Sequence, residues 1–276
     1  MPRAIWNGAV SFGLVNVPIR LVSATSPKDV RFHQLHDADN GRINQRRVCS
    51  LDGEEVEYSH IVKGYDLGGG RWVTIEPGEL EGLDPKASRT IDIEEFVDLA
   101  DIDPLYFEHS YYLVPDGQST KAYTLLVEAM SSAAKVALGR FVLRTKQYLV
   151  ALRPKDGVLV ASTMLYSDEV IGTEELDVPE KEAAEVSERE LAMAEQLIES
   201  LSGEFDPTKY HDTYREQVLH LIEQKAEGVE VAPAPEPAAT APVVDLMAAL
   251  EASLNATKGA KDAGDKARRR PTRRAG

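Results

Sequence analysis

A mixed, mainly β fold with helices gathered toward the C-terminus is predicted by three observations. Short apolar runs rich in Val, Ile, Leu and aromatics succeed one another over the first 170 residues, with Gly and Pro between them. Only one stretch in that part, STKAYTLLVEAMSS (119–132), repeats its apolar residues at helical spacing. Beyond about residue 175 the pattern changes to capped, amphipathic helical segments and then to a Pro/Ala-rich and finally a basic stretch.

Taken in order, AIWNGAVSFGLVNVPIRLVSA (4–24) reads as strand broken at Gly8, Gly13 and Pro18. VRFHQLH (30–36) alternates and is expected to be a strand; Asp39-Asn40-Gly41 is a turn signal, and RINQRRV resumes as strand. At period two, Arg42, Asn44 and Arg46 share one face there and Arg47 takes the other. Gly68-Gly69-Gly70 is a turn before the strand RWVTI, and PGELEGL opens like a short helix. TIDIEEFV and YFEHSYYLV follow as strands. Tyr123, Leu126, Val127 and Met130 form the inner stripe of the helix. KVALGRFVLR, QYLVALRP and GVLVASTMLYS, joined by RTKQ and PKDG, form an antiparallel meander in which Arg140, Val142 and Arg144 share a face.

The helical region begins at SEREL, where Ser187 and Glu190 make a capping box ahead of Leu191, Ala194, Leu197, Ile198 and Leu201. Asp206-Pro207 is expected to start a second helix with Tyr210, Tyr214, Val218, Leu221 and Ile222 on one side and Gly228 at its end. The organisation expected is a β core over 1–175, a helical arm over 176–228 and a linker over 229–242. A short amphipathic helix over 243–257 and a disordered basic tail over 258–276 complete it. Val243, Met247, Leu250 and Leu254 line one stripe of the short helix, which suits docking on a partner or back on its own body.

The chain has 276 residues and a formal net charge of -15, but the charge is unevenly spread. Residues 1–60 are neutral, 61–110 carry -8, 111–155 carry +5, 156–257 carry -18 and 258–276 carry +6. An acidic chain that spares three zones is compatible with a phosphate-reading partner if folding brings those zones together. The cations in question are Arg31, Arg42, Arg46, Arg47, Lys121, Arg140, Arg144 and Lys146. The tail adds Lys258, Lys261, Lys266, Arg268, Arg269, Arg270, Arg273 and Arg274. For each folded-core residue the competing expectation is an ion pair with one of the many acids.

Other chemistries find little support. Cys49 and Asp52 keep the spacing of half a zinc knuckle, and His33, His36 and His60 are possible distant partners, but no second Cys or His pair is evident. The glycines at 68–70 lack the Lys and Ser/Thr of a phosphate loop, and no G-x-S-x-G occurs. No catalytic residue, metal or cofactor is expected. One cysteine, no apolar run of membrane-spanning length and no secretory pattern in MPRAIWNGAV point to a reducing interior and to no membrane.

AIWNGAVSFGLVNVPIRLVSAT, VRFHQLH, GRINQRRVC, DPLYFEHSYYLVPD and FDPTKYHDTYREQVLHLIEQK, in this order and spacing, resemble the bacterial Ku proteins of non-homologous end joining from residue 3 to about residue 228. The resemblance implies a Ku-type β-barrel with a helical arm, paired as a homodimer. The two copies would form a ring that a double-stranded DNA end threads without regard to sequence. It also implies recruitment of the ATP-dependent DNA ligase D, no nucleotide requirement and a cytoplasmic, nucleoid-associated location. The matched segment would place Arg31, Arg42, Arg46 and Arg47 near DNA. Many relatives have C-x-x-C where this chain has Cys49-Ser50-Leu51-Asp52. The alternatives are a DNA-processing enzyme (abasic-end lyase or nuclease) and a nucleoid-associated protein that binds through its tail alone.

Overall fold

The computed structural model describes residues 3–76, 78–79, 89–117, 119–143, 146–178, 186–229 and 247–256. The chain divides into two compact units, Met1–Glu175 and Leu176–Gly276.

The first unit is built on a closed barrel of seven strands: β1 (Ala4–Phe12), β2 (Val15–Ser23), β5 (Thr90–Val97), β6 (Phe107–Pro115), β7 (Val136–Leu143), β8 (Lys146–Lys155) and β9 (Val158–Met164). They close in the order β1-β2-β6-β9-β8-β7-β5, and the parallel pairing of β1 with β5 is the seam. β3 (Lys63–Asp66) and β4 (Trp72–Ile75) form a separate hairpin. The chain turns from β1 to β2 at Gly13, whose φ of 59° is left-handed and suits glycine. Gly139 on β7 has a different constraint. A Cβ there would run into the main-chain carbonyl of Asp92, beside an irregularity in the β5–β7 register.

Inward positions of these strands make one core, with Val10, Val17, Ile19, Leu21, Ile91, Leu113, Val150, Leu152 and Leu159 buried. The helix α1 (Thr120–Ala133) adds Tyr123, Leu126, Val127 and Met130, the stripe expected from its periodicity. Tyr123 does more than fill space. Its hydroxyl donates to the Leu113 carbonyl at 2.6 Å and accepts from the Leu159 amide at 2.8 Å, so one phenol satisfies two backbone groups of the paired strands β6 and β9. Burial raises the phenol pKa, and the Leu159 hydrogen bond opposes that rise.

Strand directions give the barrel two distinct ends. At one, β2 finishes at Ser23, β5 begins at Thr90, and Leu143 faces Lys146 across the β7–β8 turn. At the other lie the β1–β2 turn, the start of α1 after Pro115, and the β8–β9 turn, where Asp156 and Gly157 are both left-handed. Residues 24–89 therefore leave and re-enter the barrel at the first end.

In that excursion two expectations fail. VRFHQLH and RINQRRV are not strands; Leu35 with Arg42 and Val48 with Glu55 are isolated bridges. Among the described residues the alternation in these segments has no neighbouring strand to answer it, and nearly every residue from 31 to 74 is exposed. The hairpin after Gly68-Gly69-Gly70 does form, with all three glycines left-handed.

In the second unit, α2 (Glu188–Leu201) starts from the expected capping box. The Ser187 hydroxyl accepts from the Glu190 amide at 3.3 Å, and the Ser187 amide donates to the Glu190 carboxylate at 2.8 Å. The second helix begins later than expected. Asp206 accepts from the Thr208 amide and caps only a 3-10 turn, Pro207–Lys209. Asp212 is the cap of α3 (Thr213–Ala226), accepting from the Arg215 amide at 2.9 Å. Proline at the first position fits either kind of turn, so the dipeptide alone does not settle how far the helix runs. Residues 247–256 form a further helix, α4. Neither α2 nor α3 holds a buried residue.

Candidate nucleic-acid interface

The arm between β2 and β5 carries four of the expected cations. Its main chain is held by two tight turns. In the first, the His36 amide donates to the Gly41 carbonyl and the Asn40 amide to the His36 carbonyl, both at 2.8 Å, and Asp39 accepts from the Gly41 amide. In the second, the Cys49 amide donates to the Glu54 carbonyl at 2.8 Å, the Gly53 amide to the Cys49 carbonyl at 2.9 Å, and Asp52 accepts from the Glu54 amide at 2.9 Å. The Cys49-x-x-Asp52 spacing thus closes a turn, with the Asp52 carboxylate fixing it. Among the described residues, no three His, Cys, Asp or Glu side chains converge as a metal site.

These turns set the arginines. Arg42 donates to His33 Nδ1 at 3.1 Å, which makes that ring nitrogen an acceptor. Arg46 reaches Glu55 across the second turn at 3.1 Å. Arg47 lies over the Tyr58 ring, 5.3 Å from its centre. Arg31 has no ion pair among the described residues. All four are exposed. The arm is also apolar where it is exposed: Phe32 is 72% and Trp72 64% accessible, with Leu35, Ile43, Val48, Leu51, Tyr58 and Tyr65 similarly bare. Exposed apolar area of this extent is a mark of an interaction surface.

The remaining candidates divide by position. Lys146 and Arg140 belong to the strands that meet at the barrel end from which the arm departs, but both are paired, Arg140 with Glu94 at 3.3 Å and Lys146 with Glu169 at 3.0 Å. The Lys146–Glu169 hydrogen bond raises the ammonium pKa. The Tyr166 backbone amide and then Lys146 hold the Glu169 carboxyl below its ordinary value. Lys121, at the start of α1, follows strand β6 at the opposite end and does not join the others. Arg144 and the tail residues Lys258, Lys261, Lys266, Arg268, Arg269, Arg270, Arg273 and Arg274 lie outside the described residues, as does Val243. Met247 and Leu250 are half-buried and Leu254 is buried.

Two cations escaped the sequence reading. Lys63 and Arg71 sit at the base and tip of the β3–β4 hairpin, exposed beside Tyr65 and Trp72. Their segment totals -8, but most of its acids come after residue 75, so a narrower charge window would have found them.

The family model for the Ku70/Ku80 beta-barrel domain matches residues 11–193. The protein named non-homologous end joining protein Ku from Anaeromyxobacter sp. (strain K) is 55% identical over 94% of this chain and 87% of its own length. The protein of that name from Heliobacterium modesticaldum is 46% identical over 97% of this chain and 98% of its own. The one from Mycobacterium tuberculosis is 41% identical over 92% and 95%. Among solved structures, the SPOC domain of human PHD-finger protein 3 covers 59% of this chain and 96% of its own, at 10% identity and a TM-score of 0.29.

Proposed function

Because the chain belongs to the Ku family, we propose that it acts in non-homologous end joining as a homodimeric ring. The ring binds double-stranded DNA ends without sequence specificity and recruits the ATP-dependent DNA ligase D. The observation that carries this reading is the arm: a long excursion from one barrel end, almost wholly exposed, bearing large apolar side chains together with Arg31, Arg42, Arg46 and Arg47. A single chain leaves that surface in water. A duplex is about 20 Å across, too wide for one arm to enclose, whereas a two-fold pair of arms covers each other's apolar residues and closes around it. Guanidinium groups on irregular turns suit backbone phosphates and carry no base code. Lys63 and Arg71 join this set, while Arg140 and Lys146 grip phosphate only by exchanging their carboxylate partners.

In this reading, 1–175 grips DNA, 176–228 is the helical arm, 229–242 a linker, 243–257 the docking helix for the ligase and 258–276 a cationic tail. The protein works in the cytoplasm at the nucleoid. No membrane helix enters the scheme; among the described residues none is long and apolar enough to cross one. We treat it as a scaffold and not an enzyme. A Schiff-base lyase needs a lysine of lowered pKa, and Lys146, whose pKa the Glu169 hydrogen bond raises, is not suited to that role.

Equal-length linear and closed-circular DNA test the proposal. A threading ring binds the linear form and fails on the circle. Equal binding to both, lost when 258–276 is removed, would favour the tail-driven alternative, and a borohydride-trapped adduct on abasic DNA would favour the lyase.

A further inference from the structure

The short helix α4 has a contact with α2. Arg189 Nη2 lies 3.5 Å from Glu251 Oε1. Arg189, Met193 and Leu197 follow one another at four-residue steps, so they form one row along α2; Glu190, Met193, Ala194, Leu197 and Ser200 are the half-buried residues of the helix. On α4, Met247, Ala249 and Leu250 are half-buried and Leu254 is buried, and Glu251 borders the stripe of the three larger side chains. The contrast on α2 itself is informative. Leu191 and Ile198, off this row, are 54% and 66% accessible, and Leu201, where the row ends, is 67%. One face of the helix is partly covered and the other is bare. A ten-residue helix is marginal in water on its own, so its formation needs a surface to lie on.

We infer that residues 247–256 form a latch that seats in cis on the Arg189–Met193–Leu197 row of α2. The apolar stripe supplies the adhesion, and the exposed ion pair sets register more than strength. The inference does not depend on what the arm binds. Its consequence is positional. Without the latch, some thirty residues of chain would separate Gly228 from Lys258, the first cation of the basic terminus. With it, the cations begin beside the helical unit, and Leu254 is withheld from any other partner until the latch opens.

Amide hydrogen exchange on the full chain tests this. In the unaltered protein 247–256 is protected; Leu250→Asp with Leu254→Asp raises its exchange at least tenfold, and protection across β6 and β9 stays as before, showing that the barrel is intact. Exchange at unfolded rates in the unaltered chain, or no response to the two aspartates, overturns the latch. Arg189→Glu and Glu251→Arg separate cis from trans. Each alone speeds exchange by about two- to fivefold, the scale of an exposed pair. Combining them in one chain restores protection if the latch is in cis. Restoration in a mixture of the two single variants shows instead that α4 crosses to a second copy, and the cis assignment falls.

Discussion

The barrel and the arm come from the same unit and obey opposite rules. In the barrel, inward residues such as Ile91, Leu113 and Leu152 are fully buried, and Tyr123 satisfies the two backbone groups that it meets. In the arm, residues 31–74 bury almost nothing, and their main chain is held by turns, two isolated bridges and the β3–β4 hairpin. The barrel is stabilised by what it contains. The arm keeps its shape by local hydrogen bonds and leaves its apolar side chains exposed. Substitutions that leave folding untouched but change assembly and binding should therefore concentrate in the arm.

The largest expected effect tests that division directly. Ile91→Ala removes buried methyl groups from the seam strand and costs about 2–5 kcal/mol in urea unfolding. Tyr123→Phe strands the Leu159 amide and the Leu113 carbonyl and costs about 1–3 kcal/mol. Leu51→Ala, on a fully exposed turn of the arm, stays within about 0.5 kcal/mol. A Leu51 variant as damaging as the Ile91 variant would mean that the arm is part of the folding core.

Next comes assembly. Phe32→Ser with Trp72→Ser is expected to convert a dimer into monomers by sedimentation, while near-ultraviolet circular dichroism of the barrel aromatics persists. A dimer that survives both changes would assign the pairing to another surface, with the exposed apolar residues of α2 and α3 the next to examine.

This contrast also explains what was legible in the sequence. The barrel strands and α1 were readable because their periodicity answers to partners inside the chain: Tyr123, Leu126, Val127 and Met130 point at strands that are themselves alternating. The arm misled the same reading. Phe32, Leu35, Ile43 and Val48 have strand-forming composition, yet alternation records only that one side is apolar, not which molecule covers it. The end of the barrel to which Lys121 or Lys146 belongs depends on strand order, which no local pattern contains. Ion pairing was equally hidden: Glu55 lies nine residues from Arg46 and Glu169 twenty-three from Lys146, and only the turn and the closed sheet bring them together.

A smaller effect separates free from paired cations. Arg31→Ala, Arg42→Ala and Arg47→Ala are each expected to flatten the slope of log affinity against log salt by about 0.9 if each holds one phosphate. Lys121→Ala, at the far end, leaves it unchanged. Glu55→Gln frees Arg46 and steepens the slope by up to about 0.9. Fluorescence anisotropy on a short blunt duplex over a range of salt reads all of these. A slope that responds to Lys121 and not to the arm would place the grip at the wrong end of the barrel.

The smallest effect concerns Lys146 and Glu169, and it turns on sign. The Tyr166 amide and Lys146 lower the Glu169 pKa, so the carboxylate's contribution is complete above its ordinary value near 4.3 and is lost only as pH falls through the depressed one. Glu169 raises the Lys146 pKa, so the ammonium's contribution is complete below its ordinary value near 10.4 and is lost only as pH rises through the raised one. Between these limits the pair is constant. Lys146→Ala should therefore leave the salt slope of DNA binding unchanged at pH 7, while Lys146→Ala in a Glu55→Gln background still shows the steepening due to Arg46. Carboxyl carbon shifts of Glu169 followed by NMR from pH 6 to pH 2 give the check. A midpoint at or above the ordinary value would show that Glu169 does not hold the lysine. Lys146 would then be as available to phosphate as the arginines of the arm, and the barrel end would join the arm as part of the grip.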